Sequence, residues 1–257
     1  MKSFSLLLAL FLCHFSHGQT AKNRKQLPGF VQINDTLFIA TTETSIRDYS
    51  YFLLYLHDFK KDSAMLAACM PETNYTDWTA WDSYYSKLIK YDNPLYEIKD
   101  RAISFTSVMG YLPVVNIDKR QANEYCAFKT ADYKKFFSKL RPGKKKKFSE
   151  NVTFRLPTSQ EWIAIASTPL KNGNIVCREY YKNDTTGQLM PGSIYEGCVN
   201  SQGVYNLTGN VAELVGDTDY AYGGSYKDPI DHCNATSGKR FEQGDHSIGF
   251  RLVAVIR

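Results

Sequence analysis

The residues best suited to chemistry lie in one stretch, 209–251. Within it, residues 223–226 read Gly-Gly-Ser-Tyr, and Asp228 and Cys233 follow them. A cysteine thiolate is a soft ligand that suits Cu(I), whereas an aspartate is a hard oxygen ligand with poor affinity for that ion. Cys233 alone therefore offers one ligand for a soft metal ion. Its other interpretation is a buried or disulfide-bonded cysteine.

Ser225 and His232 are the neighbours that could assist Cys233. The imidazole of His232 is also a copper ligand. However, adjacent side chains in an extended segment point to opposite faces, which makes joint ligation with Cys233 awkward. Ser225 follows two glycines, so its hydroxyl either lines a site or hydrogen-bonds within a turn that the glycines permit.

A group of hard oxygen ligands precedes these residues. Asn210 and Glu213 carry side-chain oxygens, and the backbone carbonyls of Gly209 and Val211 lie beside them. Together they could supply the ligands that Ca²⁺ prefers. The alternative is that Asn210 and Glu213 hydrogen-bond the loop backbone without metal. A calcium ion here would stabilise a loop and would not itself do chemistry.

Several other chemistries find no support in the sequence. It contains neither Gly-x-Gly-x-x-Gly nor a phosphate-binding loop. His57, His232 and His246 form no zinc-spaced pair. The Glu-Pro-Asn, Gln-Pro-Asp and Trp-Asn-Asp triplets of sugar-binding C-type lectins are also missing, which disfavours calcium-mediated sugar binding.

The first residues predict export. Met1 and Lys2 precede the apolar run 4–13, which has the size and flanks of a secretory signal peptide. Residues 16–18 place small side chains at the cleavage positions, so we expect cleavage before residue 19 and a secreted or periplasmic chain. Leu12 stands where a lipoprotein would need a small residue before Cys13, which disfavours a lipid anchor. No later segment is apolar and long enough to span a bilayer.

Composition and charge are those of an ordinary globular domain. The chain has 257 residues, of which 43% are hydrophobic and 22% charged, with a formal net charge of +5. Part of this charge comes from four lysines at 144–147. They form either a patch for nucleic acid or another anionic surface, or a solvated loop after residues 141–143. The solvated loop is favoured, and we expect no nucleic-acid partner.

Five cysteines remain beyond the leader: Cys69, Cys126, Cys177, Cys198 and Cys233. An oxidising compartment allows disulfides, and Cys177 and Cys198 bracket one loop-rich stretch. The odd number leaves at least one thiol free or paired between chains. Cys126 lies on an apolar helical face, which predicts a buried core thiol.

The patterning predicts one mixed α and β domain with much irregular backbone. Strands are expected at 30–33 and 37–40 (a hairpin), at 112–117, at 152–156 and at 248–256. Helices are expected to begin near Ser45, near Lys119 and at the capping box of Thr158 and Glu161. Residues 58–101 and 167–208 are expected to be largely irregular.

Four stretches together resemble the formylglycine-generating enzyme family, also called sulfatase-modifying factors. Residues 38–53 are similar to its N-terminal strand and helix, and residues 113–126 to its helix ending in Tyr-Cys. Residues 155–162 match its Arg-Leu-Pro-Thr internal motif, and residues 209–251 match its C-terminal signature. The resemblance implies an α+β, C-type-lectin-like domain over residues 30–257, after a leader at 1–18 and a lead at 19–29.

The resemblance also implies a chemistry from which this chain departs. Active family members bind Cu(I) between two thiolates and oxidise a sulfatase cysteine to formylglycine. Aligned on residues 223–226, Cys233 takes the second copper position, but Asp228 takes the first. Ser225 corresponds to a serine of the active-site floor. The family also places a structural calcium in the loop of Asn210 and Glu213.

The missing thiol decides the functional prediction. We predict an exported, non-catalytic protein with a binding or envelope-assembly role, as in gliding-motility and secretion-associated relatives of the family. Its partner would be a protein or an envelope component, its cofactor a structural Ca²⁺, and Cu(I) is not expected. The alternative is a copper-dependent formylglycine-generating oxidase that acts on a cysteine of sulfatases.

Overall fold

The computed structural model describes residues 27–71, 108–181 and 189–257; the expected signal peptide lies outside them. The described strands are β1 (Phe30–Gln32), β2 (Leu37–Ala40), β3 (Val152–Arg155), β4 (Leu170–Asn172), β5 (Val199–Asn200), β6 (Ala212–Leu214), β7 (Tyr220–Tyr222), β8 (Gly238–Arg240), β9 (Ile248–Gly249) and β10 (Val253–Ile256). The described α-helices are α1 (Ile46–Leu54), α2 (Ser63–Cys69), α3 (Lys119–Lys139), α4 (Pro142–Lys145) and α5 (Ser159–Ala166).

The first sheet has the strand order β1-β2-β10-β3, and all of its pairs are antiparallel. The predicted hairpin is confirmed as β1 and β2. Its turn is fixed by Asn34, whose Oδ1 accepts the N–H groups of Thr36 at 3.0 Å and Leu37 at 2.9 Å. Val253 of β10 lies opposite a β2 residue on one side and a β3 residue on the other, so β10 is central.

The second sheet has the order β8-β7-β6-β9, with β6 and β9 parallel. The prediction of one strand over 248–256 is wrong, because β9 pairs in this sheet and β10 in the first. Between them, the carbonyls of Phe250 and Leu252 accept the N–H groups of Thr44 and Ala40, at 2.8 and 2.9 Å. An apolar run cannot reveal such a change of partner, since both sheets bury it.

The three predicted helix starts are confirmed. Ser45 caps α1, and Asp118 caps α3 through a reciprocal box. The predicted capping box of α5 also forms: Thr158 Oγ1 accepts the N–H of Glu161, whose carboxylate accepts the N–H of Thr158. Arg155 adds two bonds of 2.7 Å to the Glu161 carboxylate, and this contact lowers the Glu161 pKa. The helix that begins at this box, α5, places Trp162 in the core.

The prediction of a strand over 112–117 is wrong. Within the described parts of the chain, its one ladder contact is an isolated bridge between Pro113 and Ser45. Pro113 has no N–H to give to a ladder, and Asn116 turns the chain with a φ of +59°. The segment nevertheless lies in the core, where the N–H of Val114 bonds to the Thr44 carbonyl at 2.9 Å.

The prediction of irregular structure after Asp58 is wrong up to Cys69, and residues 72–101 lie outside the described residues. A π-helix, Tyr55–Lys60, continues α1, and Lys61 then turns the chain with a φ of +52°. Asp62 caps α2, its carboxylate accepting the N–H of Met65 at 2.9 Å. That cap was the sequence signal for α2.

The apolar core divides at the first sheet. Phe38 belongs to a cluster with Tyr49 and Phe250, whereas its neighbour Ile39 belongs to a second cluster with Trp162. Successive side chains of a strand point to opposite faces, so β2 contributes to both clusters. Trp162, the largest side chain of α5, is completely buried. Among the described helices, none is long and apolar enough to cross a membrane.

The five cysteines beyond the leader are all buried free thiols. The disulfide between Cys177 and Cys198 that the sequence allowed is therefore not formed. Cys198 Sγ instead lies 3.3 Å from both the carbonyl oxygen and Oγ1 of Thr208. Cys126 is buried in the core on α3, as predicted.

Candidate functional site

The segment 223–233 places the residues aligned with the copper site. Its second residue, Gly224, has a φ of +71°, and the chain folds back there so that a side chain at this position would be blocked. A Cβ on Gly224 would lie 2.5 Å from the carbonyl oxygen of His232 and 2.9 Å from the Sγ of Cys233. Only glycine permits this approach without rearrangement, so the turn and the thiol are packed as one unit.

Ser225 and Asp228 are hydrogen-bonded to each other within this turn. The Ser225 hydroxyl donates to Asp228 Oδ2 at 2.6 Å and accepts the N–H of Lys227 at 3.3 Å. Of the two roles open to Ser225, the structure shows the hydrogen bond within the turn. The Asp228 carbonyl accepts the N–H of Arg178 at 2.9 Å, which ties the turn to the segment that carries Cys177.

Cys233 is buried, and its Sγ lies 3.6 Å from the Ser225 carbonyl, to which the thiol donates. Burial, with smaller contributions from the nearby Cys177 and Asp228, raises the pKa of Cys233 to about 12. The thiolate is the nucleophilic and metal-binding form of cysteine. Cys233 is therefore held as a neutral thiol at neutral pH.

Cys177 is a second thiol in the neighbourhood of Cys233 that the sequence did not place. Its own pKa is raised, first by burial. Glu179, two residues on, accepts the N–H of Ile230 at 2.9 Å. This bond and the one between Arg178 and Asp228 fasten residues 177–179 against the segment that ends in Cys233. The structure thus places Cys177 and Cys233 on two segments that are hydrogen-bonded to each other.

An open cleft of about 390 Å³ lies over this turn. Its lining residues are Gly224, Asp228, His232, Ser237, Gly238 and Lys239. The expected extended segment is not formed here, because Ile230–His232 is a 3-10 helix that ends at Cys233. Within this turn His232 is exposed to solvent, whereas Cys233 is buried. The cleft therefore presents an imidazole, a carboxylate and an ammonium group, with the thiol beneath it.

The side chains at the copper position do not fit Cu(I). A soft monovalent ion prefers sulfur ligands, but Asp228 presents a carboxylate that Ser225 already binds. Among the described residues, no group of three or more His, Cys, Asp and Glu side chains is arranged to hold a metal ion. No catalytic step through copper follows from this geometry.

Glu213 lies in β6 and is completely buried. Its Oε2 accepts the Trp162 indole N–H at 2.8 Å and the Nε–H of Arg251 at 2.6 Å, and its Oε1 accepts a second guanidinium bond. The carboxylate is thus fully engaged by a cation and an indole. A calcium ion at Glu213 would have to displace these partners.

Asn210 is also completely buried, with a φ of +62°. Its Oδ1 accepts the N–H of Gly192 at 2.8 Å, and its Nδ2 donates to Glu43 Oε1 at 2.8 Å. The structure thus brings Asn210 and Glu213, with the intervening backbone of Gly209 and Val211, into one buried polar cluster. Both side chains have protein partners there, and the calcium site stays a prediction.

Glu43 is the residue of this cluster that sequence reasoning missed. It is 1% exposed, and burial raises its pKa to about 8, with Arg251 opposing and Glu213 adding to the shift. The raised pKa favours the protonated form of Glu43, which lessens the negative charge that the Arg251 guanidinium has to balance. The side-chain oxygen Oδ1 of Asn206 is buried nearby and has no hydrogen-bond partner among the residues that the structure describes. The alignment of residues 38–44 covered Glu43 but gave it no role.

A comparison of the chain with models of known protein families identifies its family. The chain matches the sulfatase-modifying factor enzyme 1-like domain over residues 18–256, and it belongs to that family. Its fold is accordingly the predicted α+β architecture in a single domain of that family.

Solved structures similar to this chain share little sequence with it. CarF is 14% identical, with a TM-score of 0.49, and the alignment covers 91% of this chain and 95% of CarF. Variable protein 1 of Treponema denticola is 15% identical (TM-score 0.45; 90% and 92% covered). PvdO of Pseudomonas aeruginosa is 16% identical (TM-score 0.41), and the alignment covers 58% of this chain and 63% of PvdO. No curated protein matches the chain.

Proposed function

We propose that this chain is an exported, non-catalytic member of the family that binds a protein or an envelope component. The observation that carries the proposal is Asp228 at the first copper position, with its carboxylate bound to the Ser225 hydroxyl. Cys233 supports it, because it is left as the single sulfur ligand at these two positions, whereas Cu(I) prefers sulfur over the oxygen that Asp228 supplies. The cleft over the turn is the proposed contact surface.

The test is an anaerobic Cu(I) titration of the mature protein, followed by incubation in air with a Cys-x-Pro-x-Arg peptide. We expect no stoichiometric copper uptake and no aldehyde product. The matched variant is Asp228→Cys, which restores the family's pair of thiols on this scaffold. Copper binding by Asp228→Cys but not by the natural sequence would support the proposal. Copper uptake with conversion of the peptide by the natural sequence would overturn it.

The alternative, a copper-dependent formylglycine-generating oxidase, is favoured by one observation. Cys177 lies close enough to Cys233 to raise its pKa, so a second sulfur is within the same neighbourhood. If this pair binds Cu(I), Cys177→Ser should abolish copper uptake by the natural sequence. The variant Cys126→Ser, which removes a core thiol on α3, is the control for non-specific loss of sulfur.

A structural Ca²⁺ in the loop of Asn210 and Glu213 is a separate proposal. Its support is the resemblance of this loop to the family's calcium loop, together with the unpartnered Oδ1 of Asn206 nearby. A ligand that binds only the folded state raises the melting temperature. Melting with Ca²⁺ and with a chelator tests this proposal, and identical melting temperatures across Ca²⁺ concentrations would refute it.

A further inference from the structure

The C-terminal half of α3 and the segment after it carry an unusual concentration of positive charge. Residues 129–147 contain nine lysines and arginines but only one acidic residue, Asp132. Their net charge is +8, whereas the whole chain carries +5, so all other residues together carry −3. The net positive charge of the chain therefore comes from this segment, since the remaining residues together are slightly acidic.

The fold gathers these charges at one end of α3. Tyr133 donates its hydroxyl proton to the Ser149 carbonyl at 2.7 Å, and the rings of Phe136 and Phe148 meet edge to face at 5.7 Å. The ammonium of Lys145 lies 5.0 Å from the ring centre of Phe137. These contacts fold residues 142–149 back against the last turns of α3. The cations before and after the bend thus share one region of the surface.

We call the exposed cations of this region the basic patch. Its members are Lys134, Lys135, Lys139, Arg141, Lys144, Lys146 and Lys147. Neighbouring cations repel one another, which costs folding free energy. A surface that concentrates them gains most when an anionic partner supplies the compensating charge.

Two exposed aromatic rings accompany the basic patch. Phe59, in the π-helix, is 75% exposed, and the ammonium of Lys135 lies 6.0 Å from its ring centre. Phe136, next to Lys135 on α3, is 42% exposed. Exposed Phe rings beside lysines suit the boundary between headgroups and acyl chains, where apolar rings are buried and cations meet phosphates.

We propose that the basic patch binds the surface of an anionic phospholipid membrane, with Phe59 and Phe136 entering the headgroup layer. The binding is peripheral, and it orients the molecule so that the end of α3 faces the lipid. Phosphate groups of lipid headgroups complement the seven exposed cations. The choice of a lipid over a polynucleotide as the source of those phosphates rests on the proposed export of the chain, which brings it to a membrane surface. The two rings fit either partner, since they can enter a headgroup layer or stack on bases, and the competition experiment below separates the two.

The first measurement is sedimentation of the mature protein with phosphatidylcholine vesicles, with and without phosphatidylglycerol. We expect binding to the mixed vesicles and little to the neutral ones. Raising the salt concentration should weaken it, since surface charges are screened over about 8 Å at physiological ionic strength. Equal binding to both kinds of vesicle would overturn the proposal.

The decisive variant replaces the four lysines at 144–147 with glutamine. Its partition onto anionic vesicles should fall by roughly fivefold or more for each exposed lysine removed. The matched control replaces four exposed cations elsewhere with glutamine, namely Lys171, Arg178, Arg240 and Arg257. It has the same net charge and should lose much less affinity. Equal losses of vesicle affinity in the two variants would show that only net charge matters, and they would overturn the proposal that the basic patch is the binding site.

Two further experiments distinguish a lipid from other anionic partners. Phe59→Ser with Phe136→Ser should weaken vesicle binding while leaving the salt dependence unchanged. A single-stranded polynucleotide is then added as a competitor, and its concentration is expressed as the concentration of its phosphate groups. If it displaces the protein from vesicles at phosphate concentrations well below those of the lipid, the patch is a polynucleotide site and the lipid proposal is wrong. Thermal melting of every variant confirms that each one folds.

Discussion

Arg251 and Glu213 form an ion pair in which neither side chain is exposed to solvent. Glu213 belongs to β6 of the second sheet, and Arg251 lies between β9 and β10, where the chain passes from that sheet to the first. Arg251 also donates to the carbonyls of Ala40 and Tyr205, at 3.3 and 2.8 Å. One guanidinium therefore connects both sheets and the loop before β6.

Removing one partner of this pair should be severe. Arg251→Met leaves the Glu213 carboxylate buried without its cation, which typically costs about 3–5 kcal/mol. The double variant Arg251→Met with Glu213→Leu should recover part of that loss. Unfolding in urea measures both. Arg155→Met, which breaks a partly exposed pair with Glu161, should cost about 1 kcal/mol or less. Similar losses at Arg251 and Arg155 would contradict the central role of the buried pair.

Glu43 should make the stability of the protein depend on pH. Its folded-state pKa is raised to about 8 from 4.5, so between these values the folded state holds a proton that the unfolded state releases. Its contribution to stability is present at low pH and is lost as pH rises through this window, by at most about 1.4 kcal/mol per pH unit. Glu43→Gln, neutral at every pH, should flatten the profile.

The control for this pH dependence is Glu242→Gln, which changes an exposed carboxylate. Its stability profile between about pH 5 and 8 should follow that of the natural sequence. Denaturant midpoints at several pH values give the comparison. If Glu43→Gln retains the full slope, another group is responsible and the raised pKa of Glu43 is wrong.

Gly224→Ala should destabilise the turn beneath the cleft. Its Cβ would meet the His232 carbonyl at 2.5 Å, and its φ is positive. Gly203→Ala is the matched control, since Gly203 has a φ of +86° but nothing within 4 Å of an added Cβ. The control should cost about 1 kcal/mol for the backbone conformation alone, and Gly224→Ala clearly more. Equal losses of stability in the two variants would mean that the turn rearranges to accommodate the added Cβ without disturbing Cys233.

The buried thiols should resist alkylation until the protein unfolds. Burial raises the pKa values of Cys233 and Cys126 to about 12 and that of Cys69 to about 11. Iodoacetamide reacts with thiolates, so native protein near pH 8 should label slowly at all three, and urea should remove this protection. Peptide mass spectrometry assigns each site. Rapid native labelling of Cys233 would reveal an accessible thiolate and would count against a non-catalytic role.

Sequence patterns predicted those parts of the fold that depend on local physics. The hairpin around Asn34 and the caps at Ser45 and Thr158 are formed by side chains within three residues of the groups they bind. The same holds for the turn contact of Ser225 with Asp228. Such contacts leave a short-range signature that needs no knowledge of the rest of the chain.

The parts that sequence could not predict depend on distant partners. Glu43 meets Asn210 across 167 positions, and Arg251 meets the Ala40 carbonyl across 211. No local pattern identifies which buried charge will neutralise another. The split of 248–256 between two sheets has the same cause, and so does the approach of Cys177 to the segment of Cys233. The candidate site was therefore located by resemblance, while its electrostatics required the fold.

The central position of β10 has a consequence for the folding of this protein during its synthesis. The neighbours of β10, β2 and β3, are made long before it during synthesis, and neither can complete its hydrogen bonds until β10 arrives. Pairings so distant in sequence also slow folding. A growing chain therefore keeps the edge of β2 unpaired for most of its synthesis, and that of β3 from residue 155 onward. We expect the nascent chain to need protection from aggregation until residues 253–256 have emerged.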